Sequence, residues 1–405
     1  MTGQKGVAGD AGRLPLTVGV ITETYPPEIN GVANTLRHLV EGLEQRGHRV
    51  QLVRPRQHGD RTLYQVDGRT ETLVPGLPIP GYRDLRFGLP VYWRLERMWR
   101  KALPDVVYIA TEGPLGHAAL TAARTFAIPA LTGFHTQFHQ YSTHYGLGLL
   151  KGPIAESLRR FHNRSDATLV PTAALRDDLI ERGFRNVKVL GRGVDTELFD
   201  PRRRSAELRR SWGCPPSGRV LLYVGRLAAE KNLDLVLRTF QSIANTTPDA
   251  RLVLVGDGPE RERRRHTHPG LILPGAKVGV ELAEHYASGD LFLFPSLTET
   301  FGNVVPEAMA SGLPVIAFDY AAAGACIRSQ ENGVRVPVGD AGAFADAAAA
   351  AFADDARLRL MSKGARETAE HMSWTRIVQD LEERFFEVLP PWRRHPNGSA
   401  LAAPV

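Results

Sequence analysis

The sequence is short of the features that mark several classes of protein. Only two cysteines, Cys214 and Cys326, occur in 405 residues. That excludes a disulfide framework and a cysteine metal cluster, and it suits a reducing cytoplasm. The opening MTGQKGVAGDAGRL lacks the apolar core of a signal peptide, and no later run approaches the roughly 20 apolar residues of a membrane span. A cytoplasmic chain is expected, soluble or peripheral on the inner face of the cell membrane. The dinucleotide fingerprint G-x-G-x-x-G is missing after the first strand, which weakens a nicotinamide or flavin reading. His135, His139 and His144 invite a metal, but they fall across a loop and no acidic ligand stands near them, so none is expected. Charge of neither sign dominates. The 50 Lys and Arg against 44 Asp and Glu leave +6, an excess that suits phosphates or an anionic membrane surface and does not single out nucleic acid.

What the chain does contain is a long alternation of short apolar runs and amphipathic stretches. LTVGVIT from Leu16 leads through a loop with two prolines into a helix ending at Gly47, and QLVRP, DVVYIA, PALTGF and ATLVP follow as further strands. A second series, RVLLYVG, RLVLVGDGP, LILPG, LFLFP and PVIAF, repeats the pattern after Pro201 and the charged RRRSAELRR, which reads as a linker. Near-continuous apolar strands separated by helices imply parallel sheets covered on both faces. The fold class is therefore α/β, with two doubly wound domains, since the length is too great for one typical core. The expected division is a disordered start (1–13), a first domain (14–200), a second (201–373), a C-terminal helix (374–389) and a disordered tail (390–405).

The most informative stretch is TETFGNVVPEAMASGLPVIAF from Thr298. Two strands flank it, so Glu299 falls in a loop and Glu307 inside a short helix, with Asn303 as N-cap, Pro306 in the first turn and Gly312 as stop. A helix start after Phe301 and Gly302 leaves backbone N–H groups unpaired, a seat for phosphate between two carboxylates whose natural partners are neutral hydroxyls. Sugar hydroxyls on both sides of a diphosphate describe a nucleotide sugar. Upstream, VLLYVGRL and AAEKNLDLVL place Arg226 and Lys231 on a loop and helix start, where both cations can reach one diphosphate. Gly31 would let backbone approach a phosphate, although a glycine needed only by the turn explains it equally well.

Together these residues resemble the family-4 retaining glycosyltransferases with the GT-B architecture, two Rossmann-like domains facing a central cleft. The shared motif is Glu, seven residues, Glu, preceded by the Arg and Lys pair. The resemblance implies Arg226, Lys231, Glu299 and His135 as the catalytic group, with His135 on the donor sugar. It implies Gly31, Phe301, Gly302 and Asn303 as further diphosphate contacts, Glu307 on the ribose, Lys277 beside the base, and a last helix that crosses back to the first domain. It also implies no metal, no cofactor and no covalent nucleophile, with the leaving phosphate taking the acceptor proton. NGVANTLRHL, TGFHTQFHQY and GRGVDTELF look like the subgroup of GDP-mannose-dependent mannosyltransferases that build glycolipids. Enzymes using UDP-sugars and, in another class, a catalytically silent nucleotide-sugar-binding protein are the alternatives. Arg83 and Arg86, on a loop, are the acceptor-side candidates. The acceptor is expected to be lipid-linked, or else a carbohydrate. The basic, apolar Trp93 to Lys101 and Lys151 to Arg164 helices leave two readings open, contact with an anionic membrane or ordinary surface helices whose apolar stripes pack on the sheet.

Overall fold

The computed structural model describes residues 14–28, 30–57, 60, 65–66, 69–79, 82–135, 151–299 and 301–391. The termini expected to be disordered (1–13, and the tail from 392), His139, His144 and the side chain of Arg83 lie outside the described residues. The first sheet is assembled from β1 (Thr17–Ile21), β2 (Arg49–Pro55), β3 (Gln65–Val66), β4 (Arg69–Val74), β7 (Val106–Ile109), β8 (Ala130–Gly133), β9 (Ala167–Val170) and β10 (Val187–Val189). Its order is β10-β9-β8-β7-β1-β2-β4-β3. Every pairing is parallel except that of β3 with β4. Strands β7, β8 and β9 are buried along their whole length, as strands covered on both faces must be.

The second sheet is wholly parallel, with β11 (Val220–Val224), β12 (Arg251–Val255), β13 (Ile272–Gly275), β14 (Leu291–Phe294), β15 (Val315–Phe318) and β16 (Gly333–Val336) in the order β13-β12-β11-β14-β15-β16. In both sheets the order reverses beside the first strand of the domain, and loops leaving the carboxyl ends there form the natural ligand crevice. The RRRSAELRR segment is ordered. Ser205 caps a helix at Ala206–Ser211, and Arg204 and Arg209 both bind Asp290.

The last helix, Trp374–Val388, returns to the first domain. Its Ile377, Val378, Leu381, Phe385 and Phe386 share a core with Leu36, Leu39, Val40 and Leu43 of the Gly31–Gln45 helix. Glu382 adds charge to this seam by accepting from Arg46 Nε at 2.7 Å and pairing with His48 Nε2 at 3.1 Å.

One expectation needs correction. Arg83 and Arg86 are not on a loop; both belong to β6 (Tyr82–Gly88), which pairs antiparallel with β5 (Gly76–Ile79) as a separate two-stranded sheet. Of the two readings of the Tyr92–Lys101 helix, its apolar stripe follows the packed one, since Val91, Leu95 and Trp99 are buried with the Pro114–Thr125 helix in the first-domain core. What stays outside is Trp93, 67% exposed, with Arg94, Arg97, Arg100 and Lys101. Among the described residues no helix is long and apolar enough to cross a membrane.

Candidate active site

The Glu299 loop leaves β14 and enters the Val304–Ala310 helix. Gly302 makes the turn at φ +91°, a left-handed conformation that side chains disfavour. Asn303 occupies the cap position, but its side chain makes no capping bond. It reaches instead across the cleft, where Nδ2 donates to Gly31 O at 3.4 Å. Among the described residues the amides of Gly302, Asn303 and Val304 have no hydrogen-bond acceptor. These donors remain available to an anion, with Phe301 buried beneath them.

Lys231 ends a short 3-10 turn, Ala229–Lys231, and ties that loop to the Glu299 loop. Its ammonium pairs with Glu299 and donates to Thr298 O at 3.3 Å and Ser296 Oγ at 3.4 Å. Both partners are largely enclosed, with side chains 16% and 15% exposed. Arg226 is more open, 44% exposed, with Nη1 3.7 Å from Glu230 Oε1. Lys231 and Glu299 are thus directly joined, and Arg226 leaves the same strand, β11, five residues earlier in this segment.

Glu307 has a different setting. Its Oε2 accepts from the Tyr286 hydroxyl at 2.9 Å, and no cation is paired with it among the described residues. Burial raises its carboxyl to about 7, and the Tyr286 bond offsets only part of that rise. Tyr286, fully buried on the Gly279–Ala287 helix, was not foreseen from sequence. Lys277 lies just before that helix and is ion-paired with Glu281 at 3.4 Å.

His135 follows β8 at the carboxyl edge of the first sheet and is buried. Nε2 lies 2.8 Å from the Tyr108 hydroxyl, and Nδ1 contacts the Arg192 guanidinium. Burial first, then the Arg192 charge, hold the imidazole well below its ordinary pKa. Neither Arg192 nor Tyr108 is legible as a site residue from the sequence: GRGVD marks a family stretch, but nothing in one sequence joins positions 108, 135 and 192.

Residues 29–198 match Glycosyltransferase Family 4, and residues 218–354 match Glycosyl transferases group 1. A GDP-mannose-dependent alpha-mannosyltransferase from Mycobacterium tuberculosis is 36% identical over 326 residues, 80% of this chain and 84% of the relative. An alpha-monoglucosyldiacylglycerol synthase from Streptococcus pneumoniae is 28% identical over 75% of this chain and 71% of its own. Sucrose-phosphate synthase from Thermosynechococcus elongatus superposes with a TM-score of 0.74 at 19% identity, covering 92% of this chain and 98% of that one. The chain belongs to glycosyltransferase family 4, with the GT-B fold and a glycosyltransferase activity.

Proposed function

We propose that the enzyme moves mannose from GDP-mannose to a hydroxyl of a lipid-linked acceptor, with retention at the anomeric carbon and without a metal ion or cofactor. The observation that carries the donor assignment is the 36% identity, over four-fifths of the chain, to a GDP-mannose-dependent alpha-mannosyltransferase. Arg226, Lys231 and the amides of Gly302 and Asn303 take the diphosphate, where fixed positive ends offset the charge of the leaving group. Gly31, whose carbonyl meets Asn303 across the cleft, stands at the rim of the same seat, with Phe301 as its floor. Glu299 and His135 hold the sugar, Glu307 the ribose, and Lys277 flanks the base. Arg83 and Arg86 serve the acceptor side.

The lipid acceptor is favoured by the similarity to the monoglucosyldiacylglycerol synthase and by the exposed Trp93, Arg94, Arg97 and Arg100. Those side chains suit peripheral contact with an anionic membrane. Thermal shift against a panel of nucleotide sugars tests the donor: one present at 100 times its dissociation constant stabilises by about 2.7 kcal/mol. GDP-mannose should give the largest shift and label a lipid extract. A larger shift and transfer with a UDP-sugar would overturn the donor assignment.

A further inference from the structure

We infer that Arg192 is a positioning residue that fixes His135 as a neutral imidazole carrying its proton on Nε2. The inference rests on the proposed place of His135 beside the donor sugar. A guanidinium can only donate. Its contact with Nδ1 therefore requires a lone pair there, and the single proton of the neutral ring must sit on Nε2. Nε2–H then donates to the Tyr108 hydroxyl at 2.8 Å. The opposite tautomer would set N–H against N–H, and an imidazolium would set two buried cations side by side.

The described surroundings favour this arrangement. Arg192 is 6% exposed, His135 is its sole hydrogen-bond partner among the described residues, and no carboxylate pairs with it there. Among the described residues the titratable groups around the ring are Tyr108 on β7, Arg192 after β10, and His162 at the end of the Lys151–His162 helix, none of them a carboxylic acid. Burying a guanidinium with no counter-charge among the described residues is unfavourable, which points to a role in the site rather than in stability. The glycine before Phe134 is part of it: a Cβ on Gly133 would lie 2.5 Å from both the Tyr108 hydroxyl and His135 Nε2.

Arg192 is also placed to sense the fit between domains. Two residues on, Val194 N donates to Met372 O at 2.9 Å, immediately before the returning helix. Phe385 of that helix packs on Tyr108 with ring centroids 6.5 Å apart. Arg192 lines a cavity of about 730 Å³ together with Phe301 of the donor loop. A histidine held from this junction keeps one tautomer and one ring orientation over a wide pH range.

Neutron diffraction from the wild-type protein reads the tautomer directly, without substrate and without a variant. A deuteron on Nε2 and none on Nδ1 is expected; a deuteron on Nδ1, alone or with Nε2, overturns the inference. Kinetics then test the consequence. Arg192→Met should lower kcat about 10- to 100-fold, by analogy with groups that orient ligand histidines. The donor KM should stay within about 2-fold, and the acid limb should lie at higher pH than in the wild type, because one of the two influences that keep the ring neutral is gone. Arg192→Lys, which can still donate, should recover most of the rate and the wild-type profile. An Arg192→Met enzyme with wild-type kcat and pH profile would remove the positioning role. Should the wild type use another nucleotide sugar, the donor assignment fails, and the comparison of variants is made with that sugar.

Discussion

The two halves of the cleft solve the same problem with different materials. In the second domain the charges are close in sequence and answered locally: Lys231 meets Glu299, and both sit on loops that leave adjacent strands of one sheet. In the first domain Tyr108, His135 and Arg192 come from three separate strand ends, and among the described residues the one full charge in the group has no acid opposite. The second-domain half is balanced and partly open, ready to admit an anion. The first-domain half is buried and committed to its own partners, so it can offer shape and fixed polarity rather than charge exchange.

The sharpest way to break this contrast is to remove a charge from the balanced half. Lys231→Ala leaves Glu299 without its cation and takes one positive group from the diphosphate seat. Transfer should fall about 100- to 1,000-fold for Lys231→Ala and for Arg226→Ala, the scale of losing one preorganised donor. Steady-state assays with and without EDTA check this. Activity that a chelator abolishes and manganese restores would mean that a metal, and not these two cations, carries the diphosphate charge.

Glu307 sharpens the contrast within the second domain, because it is a carboxyl with a hydroxyl where Glu299 has an ammonium. Its folded value of about 7 lies above the ordinary 4.5. A carboxyl raised by folding contributes stability that is present at low pH and lost as pH rises through the folded value. Glu307→Gln should therefore raise the melting temperature near pH 8, by the equivalent of about 1–3 kcal/mol, and change it little near pH 4. Near pH 8, where the carboxyl is ionised, nucleotide affinity should weaken about 10-fold as the ribose loses a charged acceptor. Equal melting shifts at both pH values would show that Glu307 is not held neutral by burial.

This division also explains what could be read from the sequence. Parallel strands announced themselves as apolar runs, and the Glu299 to Glu307 spacing survives translation into structure because a loop and one helix turn separate the two. The returning helix was legible from its own periodicity together with the family resemblance. Residues whose partners lie far away were not. Tyr286 is an ordinary helix tyrosine until β14 and the Val304–Ala310 helix bring Glu307 over it. Glu23, in the loop after β1, is buried, accepts from Leu115 N at 3.1 Å and is raised to about 7 by burial. The Val91 to Trp99 stripe was readable as amphipathic, but periodicity cannot say whether core or membrane covers it; here the Pro114–Thr125 helix does.

The outer face of the first domain gives a smaller test. Arg97 is exposed beside Trp93, and a cation near an anionic surface contributes about 1 kcal/mol, roughly 5-fold in partitioning. Arg97→Ala should reduce sedimentation with anionic vesicles by about that factor, with no change for neutral ones. If the wild type ignores both kinds of vesicle and is fully active on a soluble acceptor, the membrane reading fails.

The smallest effect is expected where the two halves touch. Asn303 Nδ2 and Gly31 O are 3.4 Å apart, a long neutral hydrogen bond contributing about 0.5 kcal/mol, so Asn303→Ala should lower kcat only about 2-fold. Gly31 is the first residue of its helix, and a Cβ there would stand 3.2 Å from Asn303 Nδ2, close enough that the amide must yield by a few tenths of an ångström. Alanine also favours the helix by up to about 1 kcal/mol over glycine. Gly31→Ala should thus raise the melting temperature slightly while costing about 2-fold in turnover, a separation of stability from activity that simple misfolding would not produce. In the double variant the crowded amide is gone. Its turnover should match that of Asn303→Ala alone, a non-additive result expected of groups in contact. A double variant whose losses simply multiply would mean that Gly31 and Asn303 act apart, and that the halves are aligned by the returning helix alone.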